Sequence, residues 1–215
     1  MGRFDLVIFD NDGVLVDSEW LANGILAGLL TEYGLPCTRE DCVRDYMGST
    51  MGRVRAMAEA RLGRALPGEL EDRYHARLFE AFRTELTAIP GVREVVTGLT
   101  TPACVASSGT HERIRLALTT TGLLPLFDGR VFSAQDVARG KPDPDLFLHA
   151  AKSLGVPPAR CAVIEDSPLG VEAATRASMT AFGFARMTPA ERLRDATGGV
   201  FTAMEELPAL LEGRP

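Results

Sequence analysis

The chain has 215 residues, 46% hydrophobic and 24% charged, with a formal net charge of −6. That is enough apolar material for a packed core, and enough length for one large domain or a domain with a small insert. An acidic balance repels phosphate backbones and argues against nucleic-acid binding as the main task, so an anionic ligand would need a local cationic site.

No apolar run approaches the roughly 20 residues of a membrane-spanning helix. The opening Met1-Gly2-Arg3-Phe4-Asp5 lacks a signal pattern, and Leu6 stands where myristoylation needs Ser or Thr. The expectation is a soluble, cytoplasmic protein, with monomer as the default state. The four cysteines, Cys37, Cys42, Cys104 and Cys161, form no C-x-x-C pair, which removes the usual zinc spacing. Cys104 and Cys161 sit within apolar runs and read as buried, reduced thiols.

In chain order, Leu6 to Phe9 is a short apolar run of strand length. From about residue 18 to 88 no convincing strand follows. Leu21, Ile25, Leu26, Leu29 and Leu30 share one helical face, and Thr38 with Asp41 has the spacing of a capped second helix. Gly63 and Pro67-Gly68 punctuate two further helical runs, and Ile89-Pro90-Gly91 reads as a return linker. Strand-like runs then recur at Ala103 to Ala106, more weakly at Val131-Phe132, and at Cys161 to Ile164 and Thr180 to Phe182. Asp143-Pro144 reads as an N-cap followed by proline at the first helical position, with Gly155 ending that helix. Ser167-Pro168 opens another helix, and Thr188-Pro189-Ala190-Glu191 has capping-box spacing. Alternation of this kind predicts an α/β fold with a doubly wound, parallel, Rossmann-like three-layer sheet, formed by residues 1–17 and 89–215 and interrupted by a helical insert at 18–88.

In such sheets ligands bind beyond the carboxyl ends of the strands. The residues there are Asp10-Asn11-Asp12-Gly13, then Ser107 and Ser108, then Lys141 within Gly140-Lys141-Pro142-Asp143, then Glu165-Asp166-Ser167. Lys141 and Lys152 are the only lysines in a chain whose other cations are arginines, which singles out their positions. Clustered carboxylates cannot all stay ionised in a dry site without a cation. Hard oxygen donors with no nearby His or Cys select Mg²⁺ over zinc or copper. Asp10 and Asp166 are the first-choice direct ligands, Asp12 could contribute its backbone carbonyl, and Glu165 could hold a metal-bound water. The same set suits phosphate-ester hydrolysis. Asp10 can attack as nucleophile, and Asp12 can protonate the leaving oxygen and later deprotonate water. Lys141 and the ion can neutralise the phosphoryl oxygens. Ser107, with backbone N–H groups around Asn11, Asp12 and Ser108, can hydrogen-bond those oxygens.

The segments Phe9-Asp10-Asn11-Asp12-Gly13-Val14-Leu15-Val16-Asp17-Ser18-Glu19, Val105-Ala106-Ser107-Ser108, Gly140-Lys141-Pro142-Asp143-Pro144 and Val163-Ile164-Glu165-Asp166-Ser167 resemble, in order, the four motifs of the haloacid dehalogenase superfamily. The helical insert resembles its first type of cap domain, and the subgroup suggested contains β-phosphoglucomutases and small-sugar phosphatases. The resemblance implies that Asp10 is the nucleophile, Asp12 the acid/base, Ser107 and Lys141 phosphate binders, Asp166 a metal ligand and Glu165 its support. Asp12 argues against dehalogenation, and a cap without lysine argues against the Schiff-base hydrolases. Ala22 stands where the sugar-phosphate mutases carry a histidine, and Met51 where they carry a cap arginine, although Arg53 is close. The expectation is therefore a phosphatase acting on a small phosphorylated metabolite, a sugar phosphate by preference. A phosphomutase is the first alternative and a non-catalytic binding module the second.

Each signal also has a plainer reading. Ser107 alone is an N-cap, Lys141 alone a solvated loop residue, and Glu165-Asp166 alone an acidic helix start. His111 reads as a helix start that could border the site, and His75 and His149 as ordinary helix residues. Trp20 and Leu21 read as cap core or as substrate contacts. Asp17 and Glu19 read as a hinge or hydroxyl contacts, and Arg44, Arg53 and Arg55 as a solvated face or cap contacts. The Asn11 side chain has no evident task, since the backbone would serve the phosphate.

Overall fold

The computed structural model describes residues 3–46, 49, 51–127 and 129–213. Residues through Val16 and from Thr87 onward form one compact unit, and Asp17–Leu86 form a second.

The first unit contains six parallel strands: β1 (Leu6–Phe9), β2 (Ala103–Ser107), β3 (Val131–Ser133), β4 (Cys161–Glu165), β5 (Thr180–Phe184) and β6 (Gly199–Phe201), in the order β3-β2-β1-β4-β5-β6. Its helices, numbered after α1 (Ser18–Glu32), α2 (Arg39–Tyr46), α3 (Met51–Leu62) and α4 (Leu70–Thr84) of the second unit, are α5 (Val92–Gly98), α6 (His111–Thr120), α7 (Leu124–Phe127), α8 (Asp145–Ser153), α9 (Pro168–Arg176) and α10 (Leu207–Glu212).

β1, β2 and β4 are buried along their whole length, which is why their sequences are unbroken apolar runs and do not alternate. On one face Leu6, Ile8, Cys104, Ala106, Cys161 and Val163 pack against Leu146, Phe147 and Ala150 of α8 and Val171 and Ala174 of α9. On the other, Phe9 meets Phe127 of α7 edge-on at 6.3 Å. Each fully buried Leu, Ile or Phe contributes about 2 kcal/mol. The strand order reverses beside β1, which links to β2 on one side and β4 on the other. That is the topological switch point, where such sheets open a crevice.

The second unit is helical. Leu26, Leu29 and Leu30 of α1 build its core with Cys42, Tyr46, Val54, Ala58 and Leu70. Thr38 and Asp41 cap α2 reciprocally: the Asp41 N–H donates to Thr38 Oγ1 at 3.1 Å and the Thr38 N–H to Asp41 Oδ2 at 2.9 Å. All four cysteines are free thiols. No helix among the described residues is long and apolar enough to cross a membrane.

Two local expectations are corrected and one strand is added. α8 starts at Asp145 with no side-chain cap, because Asp143 lies in a turn closed by its N–H on Gly140 O and its carboxylate pairs with Arg139 at 3.5 Å. Residues Ala190–Leu193 form a short 3₁₀ turn without a side-chain cap, so the Thr188 capping box does not form. The strand β6 was not foreseen: it has only three residues and opens on Gly199, whose φ is +106°.

Candidate active site

Asp10 is the first residue beyond β1, and its N–H donates to Ile164 O of β4 at 3.0 Å, so the sheet ladder itself fixes its backbone. The chain then turns back sharply. Leu15 and Val16 both donate to Asn11 O, and Gly13 donates to Val16 O with φ +76°. A side chain at position 13 would be strained by that φ and would also meet Asp166, since a Cβ there would lie 2.0 Å from Asp166 Oδ2. Asp166 follows Glu165 at the end of β4. Glu165 is held from below: its Oε2 accepts from the Ser167 N–H at 3.1 Å and from Ser167 Oγ at 2.8 Å, while Ser167 Oγ also accepts from the Gly170 N–H and caps α9.

Lys141 reaches in from the segment after β3. Its Nζ donates to Asp10 Oδ1 at 2.6 Å, to Glu165 Oε1 at 2.5 Å and to Ala106 O at 3.3 Å. The Lys141 and Glu165 side chains are 6% and 1% exposed, so this is a buried charge cluster in which the Coulomb interactions are little screened. Burial pushes the Asp10 carboxyl up to about 7; Lys141 pulls against that, and Glu165 and Asp12 push with it. Burial also works against the Lys141 charge, but Asp10 and Glu165 outweigh it and hold the ammonium above the ordinary lysine range.

Asp10, Glu165 and Asp166 each bring a carboxylate oxygen to within 4.8 Å of the others, a spacing that could hold a metal ion. The donors are all hard carboxylate oxygens, and a single ammonium leaves the cluster with excess negative charge. Both features fit a hard divalent cation.

The structure thus brings Asp10, Lys141, Glu165 and Asp166 together, and Ser107, at the end of β2, follows the carbonyl that Lys141 touches. Ser107 Oγ is buried and accepts from the Gly109 N–H at 3.1 Å, closing the turn after the strand. Ser108 is exposed. The carboxylate of Asp12 is paired with Arg113, whose Nη2 donates to its Oδ1 at 2.9 Å. The Asn11 side chain is fully buried, and neither of its amide atoms has a hydrogen-bond partner.

Sequence reading missed Arg113 and the β3 end that supports the turn after β2. There Ser133 Oγ donates to Gly109 O at 2.6 Å, the His111 N–H donates to Gln135 Oε1, and the His111 ring lies 2.7 Å from Asp136. A signal for Arg113 existed: it is a cation in the first turn of α6, where the helix dipole disfavours one unless an anion faces it. His75 and His149 lie on α4 and α8 as expected, the latter edge-on to Phe132. Trp20 is not a core residue. It is 40% exposed, with the Arg39 guanidinium stacked 4.6 Å from its ring, and Gly24 leaves room for that stack. Arg44 pairs with Asp41 and Asp45, and Arg55 bonds Leu66 O and Pro67 O, so both brace the helical unit.

Residues 4–178 match the family model of the haloacid dehalogenase-like hydrolases. The chain is 30% identical over 215 residues to the 6-phosphogluconate phosphatase of Escherichia coli K12, covering 100% of this chain and 97% of that one. Among solved structures, a conserved haloacid dehalogenase-like protein of unknown function from Agrobacterium tumefaciens C58 superposes with a TM-score of 0.90 at 37% identity, covering 98% of both chains. A haloacid dehalogenase family hydrolase from Deinococcus radiodurans R1, with bound phosphate and sodium, gives 0.88 at 32% identity over 98% of this chain and 96% of that one. The protein belongs to the haloacid dehalogenase-like hydrolases. Within that family it falls in the subgroup of β-phosphoglucomutases and small-sugar phosphatases, and its class is phosphoric monoester hydrolase.

Proposed function

We propose that the protein hydrolyses the phosphate ester of a small metabolite, a sugar phosphate or sugar-acid phosphate, through an aspartyl-phosphate on Asp10. Residues 1–17 and 89–215 are the catalytic core in this reading, and 18–88 the cap domain. The observation that carries it is the buried bridge from Lys141 Nζ to Asp10 at 2.6 Å and to Glu165 at 2.5 Å, with Asp166 alongside, at the switch point of the sheet. Similarity to the 6-phosphogluconate phosphatase supports the substrate class.

Asp10, Asp166 and Glu165, with the backbone carbonyl of Asp12, would hold Mg²⁺, which when bound supplies charge neutralisation at the phosphoryl oxygens and at Asp10. Lys141 keeps one Asp10 oxygen fixed by its hydrogen bond, and its ammonium faces the incoming negative charge. Ser107 and the backbone N–H groups of Asn11, Asp12 and Ser108 orient the phosphoryl group. Asp10 then attacks phosphorus in line while Asp12 gives its proton to the departing alcohol oxygen. In the second half Asp12 accepts a proton from water, the water oxygen bonds phosphorus, and the Asp10–phosphorus bond breaks to release inorganic phosphate.

The direct test is phosphate release from p-nitrophenyl phosphate with Mg²⁺, followed by a panel of phosphorylated sugars and sugar acids. Turnover that Asp10→Asn abolishes is expected. A folded protein with no turnover on any ester, or an Asp10→Asn variant as active as wild type, would overturn the reading. The mutase alternative predicts interconversion of hexose phosphates without free phosphate, and Ala22 and Met51 count against it.

A further inference from the structure

We infer that Arg113 is the positioning residue for Asp12: it holds the carboxyl in the orientation from which the proton reaches the leaving oxygen. The inference rests on the reading of Asp12 as acid/base and adds the group that controls it.

Three observations carry it. Arg113 stands in the first turn of α6, with its N–H on Thr110 Oγ1 at 3.2 Å, a place where a cation opposes the helix dipole. An arginine there is stabilised by a facing anion, and the anion supplied is Asp12, 101 positions away in sequence. Second, the contact is single-pointed, Nη2 to Oδ1 at 2.9 Å. Arg160 and Arg139 grip Asp5 and Asp145 with two nitrogens each, the geometry that suits a purely structural ion pair. A one-point hold orients Asp12 and leaves Oδ2 for the reacting oxygen. Third, Asp12 stands two residues beyond Asp10 and directly before the Gly13 turn, close enough for the two carboxyls to repel, and that repulsion would drive an unheld Asp12 carboxyl toward solvent.

In the transfer step the Asp10 oxygen–phosphorus bond forms, the phosphorus–ester oxygen bond breaks, and the Asp12 proton passes to that ester oxygen. Mispositioning the donor hurts most when the leaving oxygen is a poor leaving group, because such an oxygen depends on the proton.

The test is a leaving-group series, p-nitrophenyl phosphate through phenyl phosphate to an alkyl phosphate, on wild type, Arg113→Leu, Arg113→Lys and Asp12→Asn. Arg113→Leu should lose about tenfold in kcat/KM, which reads the leaving-group step and not the later hydrolysis common to all esters, on phenyl phosphate, less on p-nitrophenyl phosphate and more on the alkyl ester. Arg113→Lys should recover part of the loss. Asp12→Asn should show the same selectivity, more steeply. If Asp12→Asn lowers kcat/KM of every ester equally, the acid/base reading itself fails and takes the inference with it. If Asp12→Asn is selective but Arg113→Leu lowers kcat/KM of all esters alike, or leaves it unchanged, the inference fails and the acid/base reading stands.

Discussion

Gly170 lies directly against Glu165: a Cβ at position 170 would come within 1.8 Å of the Glu165 carboxyl carbon. The first turn of α9 therefore has a bare backbone because the carboxyl occupies the space. Gly170→Ala must displace Glu165 from both Lys141 and Ser167. The expected result is a loss of about 1–3 kcal/mol in stability, as for overpacking a core, and at least about a tenfold drop in kcat, since Lys141 loses one of its anchors. Thermal melts and steady-state kinetics check it; a variant matching wild type in both would show that Glu165 can relocate freely.

Lys141 has two carboxylate partners in a nearly dry site. Lys141→Met removes the ammonium and leaves Asp10 and Glu165 facing each other. Breaking a buried pair in this way costs about 3–5 kcal/mol, which urea denaturation in EDTA would read. Phosphatase activity should fall below about a thousandth, and Lys141→Arg should not restore it, because a planar fork cannot reproduce the point charge.

The pH dependence follows from Asp10. Burial raises its carboxyl from an ordinary 3.8 to about 7 in the metal-free fold. A raised folded-state value means that the group's contribution to stability is complete below the unfolded value, declines as pH rises above about 4, and is gone above about 7. Wild type measured against Asp10→Asn in EDTA should therefore lose relative stability across that window. Added Mg²⁺ should stabilise wild type more at pH 8 than at pH 5, because the proton no longer competes with it. A Mg²⁺ stabilisation independent of pH would contradict this.

Asn11 buries an amide with no partner on either atom. Asn11→Leu, of similar size, removes an unsatisfied polar group and should raise stability by about 1–2 kcal/mol without loss of turnover. A fall in kcat with Km unchanged would instead assign the side chain a place in the chemistry.

The central strands were legible because β1, β2 and β4 are covered on both faces, which forces unbroken apolar runs such as Leu6-Val7-Ile8-Phe9. β6 was not, because a three-residue strand opening on Gly199 leaves no such run. Asp10, Lys141, Glu165 and Asp166 could be picked out because each follows a recognisable strand or turn, and the parallel topology carries all such positions to one rim. Arg113 could not be paired with Asp12 from sequence, since nothing local records a contact across 101 residues, although its place in the first turn of α6 was itself a departure from the usual charge pattern. The core reading of Trp20 failed for a related reason: an aromatic beside Leu21 reads as core, and only the fold shows it exposed with Arg39 stacked on its ring.

The account stands on covalent attack by Asp10. Rapid quench of the working enzyme into borohydride reduces an acyl-phosphate to the alcohol, so mass spectrometry of the tryptic peptide spanning residues 4–39 should find homoserine at position 10, dependent on both substrate and Mg²⁺. Unmodified Asp10 throughout turnover, or reduction at another carboxylate, would contradict it.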